Sequence, residues 1–316
     1  MTQPLRILLV AGESAGKQVL QAVARSGSHL VGLMTPDEEA SDKNRALHDA
    51  AAQVGCAVWP ARWVRDRGFA NHLRAEGVDV LLNVHSLFVL RKEVLAAPRI
   101  GCFNMHPGPL PRYAGLNAVS WALYRGESQH AVTIHWMVPE IDAGPIAYMS
   151  SFTIEESDTA LTLSIKCVKA GVPLMTRLLG AAADPRGIPT IAQDPSGRCY
   201  YGAKVPQGGR LDWSRSAKDV VNFVRACDYV PFSSPWGHPK ATFRSRELAV
   251  VKATRTGIPC GTVPGTVGEV AAPTAMVAAG DEWVLVHRLL CDGAFVDAAD
   301  VLEVGRRFDH HEEPAT

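Results

Sequence analysis

Short apolar runs recur along the first half of the chain, each followed by a polar stretch with helical spacing. Ile7 to Ala11 is a continuous apolar run that ends at Gly12, the pattern of a buried parallel strand entering a glycine turn. Gly16 to Arg25 has helical periodicity, and Leu30 to Met34 is the next strand. The alternation continues with a helix over Asn44 to Gln53, a short strand at Ala57-Val58-Trp59, a helix over Gly68 to Glu76 and a strand over Val78 to Val84. Gly101 to Met105 is a fifth strand. Strands that alternate with helices predict an α/β fold with a doubly wound, mostly parallel, Rossmann-like sheet. Beyond it, Asn117 to Tyr124 reads as a helix, Ala131 to Val138 and Ile146 to Thr153 as two partnered strands, and Thr159 to Leu179 as a long amphipathic helix.

The pattern changes after that helix. Ala181 to Gly209 is rich in Gly, Pro, Asp and Ser and reads as a linker. Ser214 to Ala226 is a helix capped by Ser214 or Ser216. After Pro231 come short strands with frequent turns at Glu247 to Ala253, Gly265 to Val270, Ala275 to Ala279 and Trp283 to Leu290. They predict a small, OB-like β-barrel. The expected organisation is a first domain over residues 1–182, a linker over 183–209, a barrel domain over 210–305 and a disordered tail over 306–316.

Composition narrows the function classes. The chain has 316 residues, is 47% hydrophobic and carries no net charge, so nothing in it advertises a nucleic-acid or membrane partner. Its seven cysteines are odd in number and form no CxxC pair, which argues against a disulfide framework or a zinc site and for reduced thiols. The N-terminal apolar segment is only about five residues, too short for a signal-peptide core. No run has transmembrane length, and a cytoplasmic location is expected.

The candidate chemistry lies in Asn104-Met105-His106-Pro107-Gly108-Pro109-Leu110-Pro111, with Asp142 following in Glu140-Ile141-Asp142-Ala143-Gly144. Asn104 and His106 are two apart at the carboxyl end of a strand and so point the same way. Carboxyl ends of parallel strands are where such sheets place ligands. An amide and an imidazole can hold a developing oxyanion, and a carboxylate can orient the imidazole and collect a proton. The plainer alternatives are a turn-capping Asn, a hydrogen-bonded core His and a turn Asp. Thr133 and His135 share one face of the following strand. Gly12 to Lys17 resembles a phosphate loop but has three residues between its glycines instead of four, and Gln18 where a Ser or Thr is needed.

The same residues resemble the family of formyltransferases that use 10-formyltetrahydrofolate. The family signature is Asn-x-His-x-Ser-Leu-Leu-Pro with a later Asp-x-Gly. Here it reads Asn104 to Pro111, with Tyr113 and Gly115, then Asp142-Ala143-Gly144. Leu87-Phe88-Val89-Leu90 is similar to the family's pterin-contacting loop, and Gly209 to Trp213 with Val224-Arg225-Ala226 to the opening of its C-terminal barrel domain. The resemblance spans roughly residues 5 to 303. It implies catalytic roles for Asn104, His106 and Asp142, folate contacts at Phe88, Val89, Leu90, Glu140, Ile141 and Asp142, and supporting roles for Thr133, His135 and Gly108, with no metal. In that scheme His106 donates to or sits beside the formyl oxyanion, Asn104 supplies a second donor, and Asp142 keeps the imidazole protonated and helps take the amine proton.

Gly108 and Pro109 depart from the signature's Ser and Leu. The segment Pro36 to Asp42 is short and acidic where tRNA-specific members carry a basic insertion, so a phosphate backbone would be repelled there. The resemblance therefore implies formyl transfer to a primary amine or hydroxylamine of a small molecule: an amino sugar, an amino acid or a secondary-metabolite intermediate. The alternatives are a methionyl-tRNA formyltransferase, a 10-formyltetrahydrofolate hydrolase, and a folate- or nucleotide-binding module without catalysis. The partners expected are folate and the amine; a homodimer is compatible with the sequence.

Overall fold

A computed structural model of the chain describes residues 3–36, 42–86, 88–184 and 187–309. Residues 37–41 of the acidic segment, Leu87 of the expected pterin loop and residues 310–316 of the expected tail lie outside the described residues. Two compact units are present: Met1–Gly115, His130–Phe152 and Ile165–Tyr200 form one, and Leu116–Gln129, Thr153–Ser164 and Tyr201–Thr316 the other.

The strands of the chain are β1 (Arg6–Ala11), β2 (His29–Met34), β3 (Val58–Trp59), β4 (Val80–Val84), β5 (Gly101–His106), β6 (Ala114–Gly115), β7 (Gln129–Trp136), β8 (Ile146–Thr153), β9 (Tyr200–Tyr201), β10 (Lys240–Phe243), β11 (Arg246–Pro259), β12 (Val267–Ala271), β13 (Thr274–Ala278), β14 (Glu282–Cys291) and β15 (Ala294–Asp297). The helices are α1 (Glu13–Arg25), α2 (Asp42–Gln53), α3 (Phe69–Ala75), α4 (Lys92–Leu95), α5 (Ala118–Tyr124), α6 (Ala160–Ala182) and α7 (Ala217–Ala226).

The first unit is built on a seven-stranded sheet in the order β3-β2-β1-β4-β5-β7-β8. β1, β2, β3, β4 and β5 pair in parallel, and β7 joins β5 antiparallel. Ile7 to Ala11 are wholly inaccessible and β4 is buried along its length, as expected where helices cover both faces of a parallel sheet. α1 begins at Glu13, three residues earlier than the periodicity predicts. Gly12 is its N-cap, and the Gly16 N–H already donates to the Gly12 carbonyl at 3.1 Å. One residue separates β1 from α1, so this turn leaves no room for a phosphate cradle.

In the second unit, α7 begins at Ala217 with Ser216 as its cap, the hydroxyl accepting from the Asp219 N–H at 3.1 Å. Ser214, the other cap predicted, is engaged elsewhere: its N–H and hydroxyl donate to Asp212 at 2.9 and 2.6 Å. That turn delays the helix. The antiparallel sheet runs β10-β11-β14-β13-β12, with β15 on β14. β11 extends well past the apolar alternation that predicts it. Its polar half is held to β14 by side-chain pairs: Arg255 forks onto Glu282 at 2.8 and 3.0 Å, and Thr254 meets His287 at 2.8 Å. β10 and β15, four residues each, were too short to register as alternation in the sequence.

The two end strands of this sheet are bridged by the chain at Arg307 to Asp309. Phe308 pairs with Phe243 and Arg307 with Thr266, and the Phe308 and Asp309 N–H groups donate to Gly265 and Thr242 at 3.0 and 2.8 Å. These bridges draw the two ends of the sheet together in the manner of a barrel and cover part of the backbone at the β10 and β12 ends. Phe308 is 3% exposed, with ring centroids 5.0 Å from Trp213 and 5.1 Å from Phe243. Among the described residues no helix is long and apolar enough to cross a membrane. Replacing Phe308 by Ala should destabilise the barrel by about 3–5 kcal/mol, read from denaturant unfolding followed by Trp213 fluorescence; an unchanged midpoint would remove Phe308 from the core.

Candidate active site

A polar row crosses three adjacent strands at the carboxyl end of the parallel sheet. In register, Asn83 of β4 lies beside Asn104 of β5, which lies beside His135 of β7; His106 lies beside Thr133. The β7–β8 connection brings Asp142 over this row. Asp142 is a non-glycine residue with φ 53°, and Gly144 behind it passes so close to the Trp136 carbonyl that a Cβ there would collide with it. The loop path thus needs Gly144 and places the carboxylate inward.

Asp142 is 8% exposed, and its carboxylate lies among two N–H donors and two imidazoles. Oδ2 accepts from the Gly115 N–H at 2.8 Å and lies 3.5 Å from His106 Nδ1. Oδ1 accepts from Asn104 Nδ2 at 3.4 Å and lies 3.3 Å from His135 Nε2. Burial by itself would push this carboxyl's pKa up. The hydrogen bond with His135 and the Gly115 N–H, joined by His106 whenever its ring is protonated, overcome burial and hold it well below the usual carboxylate range. Asp142 is therefore ionised at neutral pH.

His106 is 3% exposed, and its Nε2–H donates to the Tyr113 carbonyl at 2.5 Å. Burial pushes its pKa down, and the Asp142 carboxylate opposes that from the Nδ1 side; the downward direction wins. A neutral ring with its proton on Nε2 presents the Nδ1 lone pair next to Asp142. This arrangement can take up a proton at Nδ1 and stabilise the imidazolium formed. The Tyr113 carbonyl occupies the other nitrogen, so oxyanion donation from Nε2 would require that bond to break. Asn104, partly exposed, is the member of the three that opens to solvent.

The supporting residues also come together. Thr133 spans the loop after His106: its hydroxyl donates to the Gly108 carbonyl at 2.7 Å and accepts from the Leu110 N–H at 3.3 Å. His130 Nε2 meets the Pro107 carbonyl at 2.9 Å. Side chains of β7 thus hold the backbone at Pro107, Gly108 and Leu110, and a signature serine is not needed to order it. His135 Nδ1 donates to the Trp136 carbonyl at 2.9 Å, which turns Nε2 toward Asn104 Nδ2 at 3.1 Å.

Of the residues expected at the folate, Val89 and Ile141 present exposed apolar side chains, 72% and 45% accessible, and Phe88 is half-buried. Leu90 points instead into the core with Val94 and Cys102, leaving only its backbone to a ligand. Glu140 is exposed and lies 3.5 Å from Arg198 Nε. No group of three His, Cys, Asp or Glu among the described residues is placed to hold a metal ion.

Two residues that motif reasoning missed grip the Asp142 loop. Gln193 Nε2 donates to the carbonyls of Asp142 and Gly144 at 2.9 and 2.6 Å. Arg198 Nη2 and Nη1 donate to those of Ile141 and Asp142 at 2.7 and 3.3 Å. They lie more than fifty residues further on, in a Gly- and Pro-rich stretch without periodicity, and no local signal points to them.

The models of two protein families match this chain. Formyl transferase matches residues 5–179, and formyl transferase C-terminal domain matches 205–304. The chain belongs to the formyl transferase family and is a formyl-transferring enzyme. Solved structures share the fold. WlaRD, a sugar 3N-formyl transferase in the presence of dTDP and 5-N-formyl-THF, superposes with a TM-score of 0.70 at 15% identity, over 90% of this chain and 97% of its own. The N-formyltransferase from Helicobacter canadensis, in complex with folinic acid and dTDP-3-aminofucose, gives 0.68 at 15% identity, over 89% and 98%. HypX from Aquifex aeolicus in complex with tetrahydrofolic acid gives 0.62 at 18% identity, over 95% of this chain and 47% of that one.

If the Asp142 charge is what sustains an imidazolium at His106, Asp142→Asn should move the His106 pKa further down. Removing the anion removes the opposition to burial. A proton-detected NMR titration of the His106 ring checks this, and a pKa that rises in the variant would contradict it.

Proposed function

We propose that the enzyme transfers the formyl group of 10-formyltetrahydrofolate to the primary amine of a small molecule. The observation that carries the reading is the convergence of Asn104, His106 and Asp142, each within 3.5 Å of another member, at the carboxyl end of a formyltransferase sheet. The sugar N-formyltransferases with the same fold, solved with formylated folates and with an amino-sugar nucleotide, support the choice of donor and of acceptor class. The exposed apolar side chains of Val89 and Ile141, with the backbone of Leu90, suit the faces of a pterin.

In this reading the amine nitrogen attacks the formyl carbon. One Asn104 N–H stabilises the oxyanion that develops. The amine's proton passes to His106 Nδ1, where the ionised Asp142 faces the new imidazolium. Collapse of the tetrahedral intermediate breaks the carbon–N10 bond, and His106 returns the proton to N10. The products are the N-formylated amine and tetrahydrofolate.

The role given to His106 differs from that of a standing imidazolium donor, and pH separates the two. A base must be unprotonated, and the His106 pKa lies below its ordinary value. Transfer should therefore hold its rate at neutral pH and fall as pH drops through that depressed pKa. An imidazolium donor would instead lose activity as pH rises.

Formyl transfer to a panel of amino sugars, amino acids and hydroxylamines, read by product mass, tests the activity. Formate released at the same rate without an amine would make the protein a hydrolase instead. Asn104→Ala should lower kcat by about 10²–10³, the size of one lost oxyanion donor, while leaving the fold intact by circular dichroism.

A further inference from the structure

The polar row contains one residue that neither the family signature nor the proposed chemistry employs. Asn83 sits in β4, whose other residues are Val80, Leu81, Leu82 and Val84, and is itself 6% exposed. Asn is poorly suited to the middle of a buried strand, and it carries four hydrogen-bonding positions to satisfy. The structure satisfies it incompletely. Asn83 Nδ2 donates to Asn104 Oδ1 at 2.9 Å, while Asn83 Oδ1 accepts no hydrogen bond among the described residues. A buried acceptor without a partner costs on the order of 1–3 kcal/mol.

We infer that Asn83 is a positioning residue that locks the orientation of the Asn104 amide; this rests on the formyl-transfer reading for its consequence, though not for its geometry. An amide has a donor end and an acceptor end of nearly equal size, and a half-turn exchanges them. If Asn104 turned, its carbonyl would face the developing oxyanion and repel it. With Asn83 Nδ2 turned toward β5, only Asn104 Oδ1 can face it, so the two amides hold one paired orientation, with Asn104 Oδ1 toward β4. The Asn104 NH2 then faces the opposite way, toward His135 Nε2 at 3.1 Å and Asp142 Oδ1 at 3.4 Å. Those two atoms lie 3.3 Å apart; in the formyl-transfer reading one N–H of Asn104 serves the formyl oxygen.

Asp142 also favours this orientation, and His135 faces the same NH2 group but is a changing reference. An imidazole nitrogen is a donor or an acceptor according to its proton, and a proton moves through this site in every turnover. The Asn83 amide does not titrate. It adds, on the acceptor side of Asn104, a donor that stays constant while His106 gains and loses its proton.

The test compares Asn83→Ala, Asn83→Ser and Asn83→Asp in the full-length enzyme. Asn83→Ala should lower kcat about tenfold, with KM for 10-formyltetrahydrofolate held within about twofold, because an interaction felt in the transition state is lost and ground-state binding is not. Asn83→Ser keeps a hydroxyl donor and should recover part of the rate. In Asn83→Asp the new carboxyl donates to Asn104 Oδ1 when protonated and repels it when ionised. The ratio of its kcat to that of the unaltered enzyme should therefore fall as pH rises.

A residue that merely packs would give rate losses that track melting temperature across the three variants and a pH-independent ratio; either result overturns the inference. The geometry is tested without turnover by the side-chain amide signals of Asn104 in 15N-labelled protein. Slowed exchange and a fixed pair of resonances should be lost in Asn83→Ala, and identical spectra would overturn the lock. If the unaltered enzyme transfers formyl to no amine, the formyl-transfer reading fails, while the amide spectra still decide the role of Asn83.

Discussion

A carboxylate held out of water organises this site. Burying an ionised group costs several kcal/mol unless it is paired and hydrogen-bonded. Asp142 meets that requirement with the Gly115 N–H, the Asn104 amide and two imidazoles, drawn from three separate stretches of chain. Each partner is oriented by serving it. Asn104 turns its NH2 end toward an oxygen that can only accept, and His106 turns Nδ1 toward the same group. Gly115 ties the proline-containing loop to the loop after β7. The carboxylate is thus the shared anchor of β5, β7 and the loop at Gly115.

The anchor is itself held from behind. Gln193 and Arg198 place four donors on the carbonyls around Asp142, and Gly144 gives the loop its path past Trp136. A non-glycine residue at positive φ costs free energy and persists only where its surroundings over-determine it. These contacts supply that over-determination. Thr133 and His130 do the same for the loop after His106, binding backbone at Pro107, Gly108 and Leu110. The replacement of the family's Ser-Leu by Gly108-Pro109 becomes intelligible on this basis. Rigidity comes from β7 and from the prolines, and the loop needs no side chain of its own at position 108.

Much of this was legible in one dimension because the relevant physics is local. Buried parallel strands read as apolar runs, and the spacing of Asn104 and His106 puts both on one face of a strand end. The order Asn-x-His, then Asp-x-Gly, suffices for the formyltransferase resemblance that the family match establishes. Weaker signals gave way to particular interactions. Ser214 lost the cap of α7 to Ser216 because Asp212 captured it, and the polar half of β11 stayed a strand because Arg255 and Thr254 found partners on β14.

Patterns along the chain specify most of the elements, their division between an α/β sheet and an antiparallel β domain, and which three residue types stand at the strand ends. Periodicity and loop chemistry act over a few residues, so they survive without coordinates. Only the tertiary structure decided the protonation geometry. The Tyr113 carbonyl takes one nitrogen of His106, Asp142 faces the other, and Asn83 Nδ2 donates to Asn104 Oδ1. Those contacts join positions from 7 to 36 residues apart in sequence across strands whose register is set by packing. No pattern along the chain encodes which end of an amide or which nitrogen of an imidazole meets a given neighbour, because that choice is made by distances of about 3 Å that exist only once the sheet has formed.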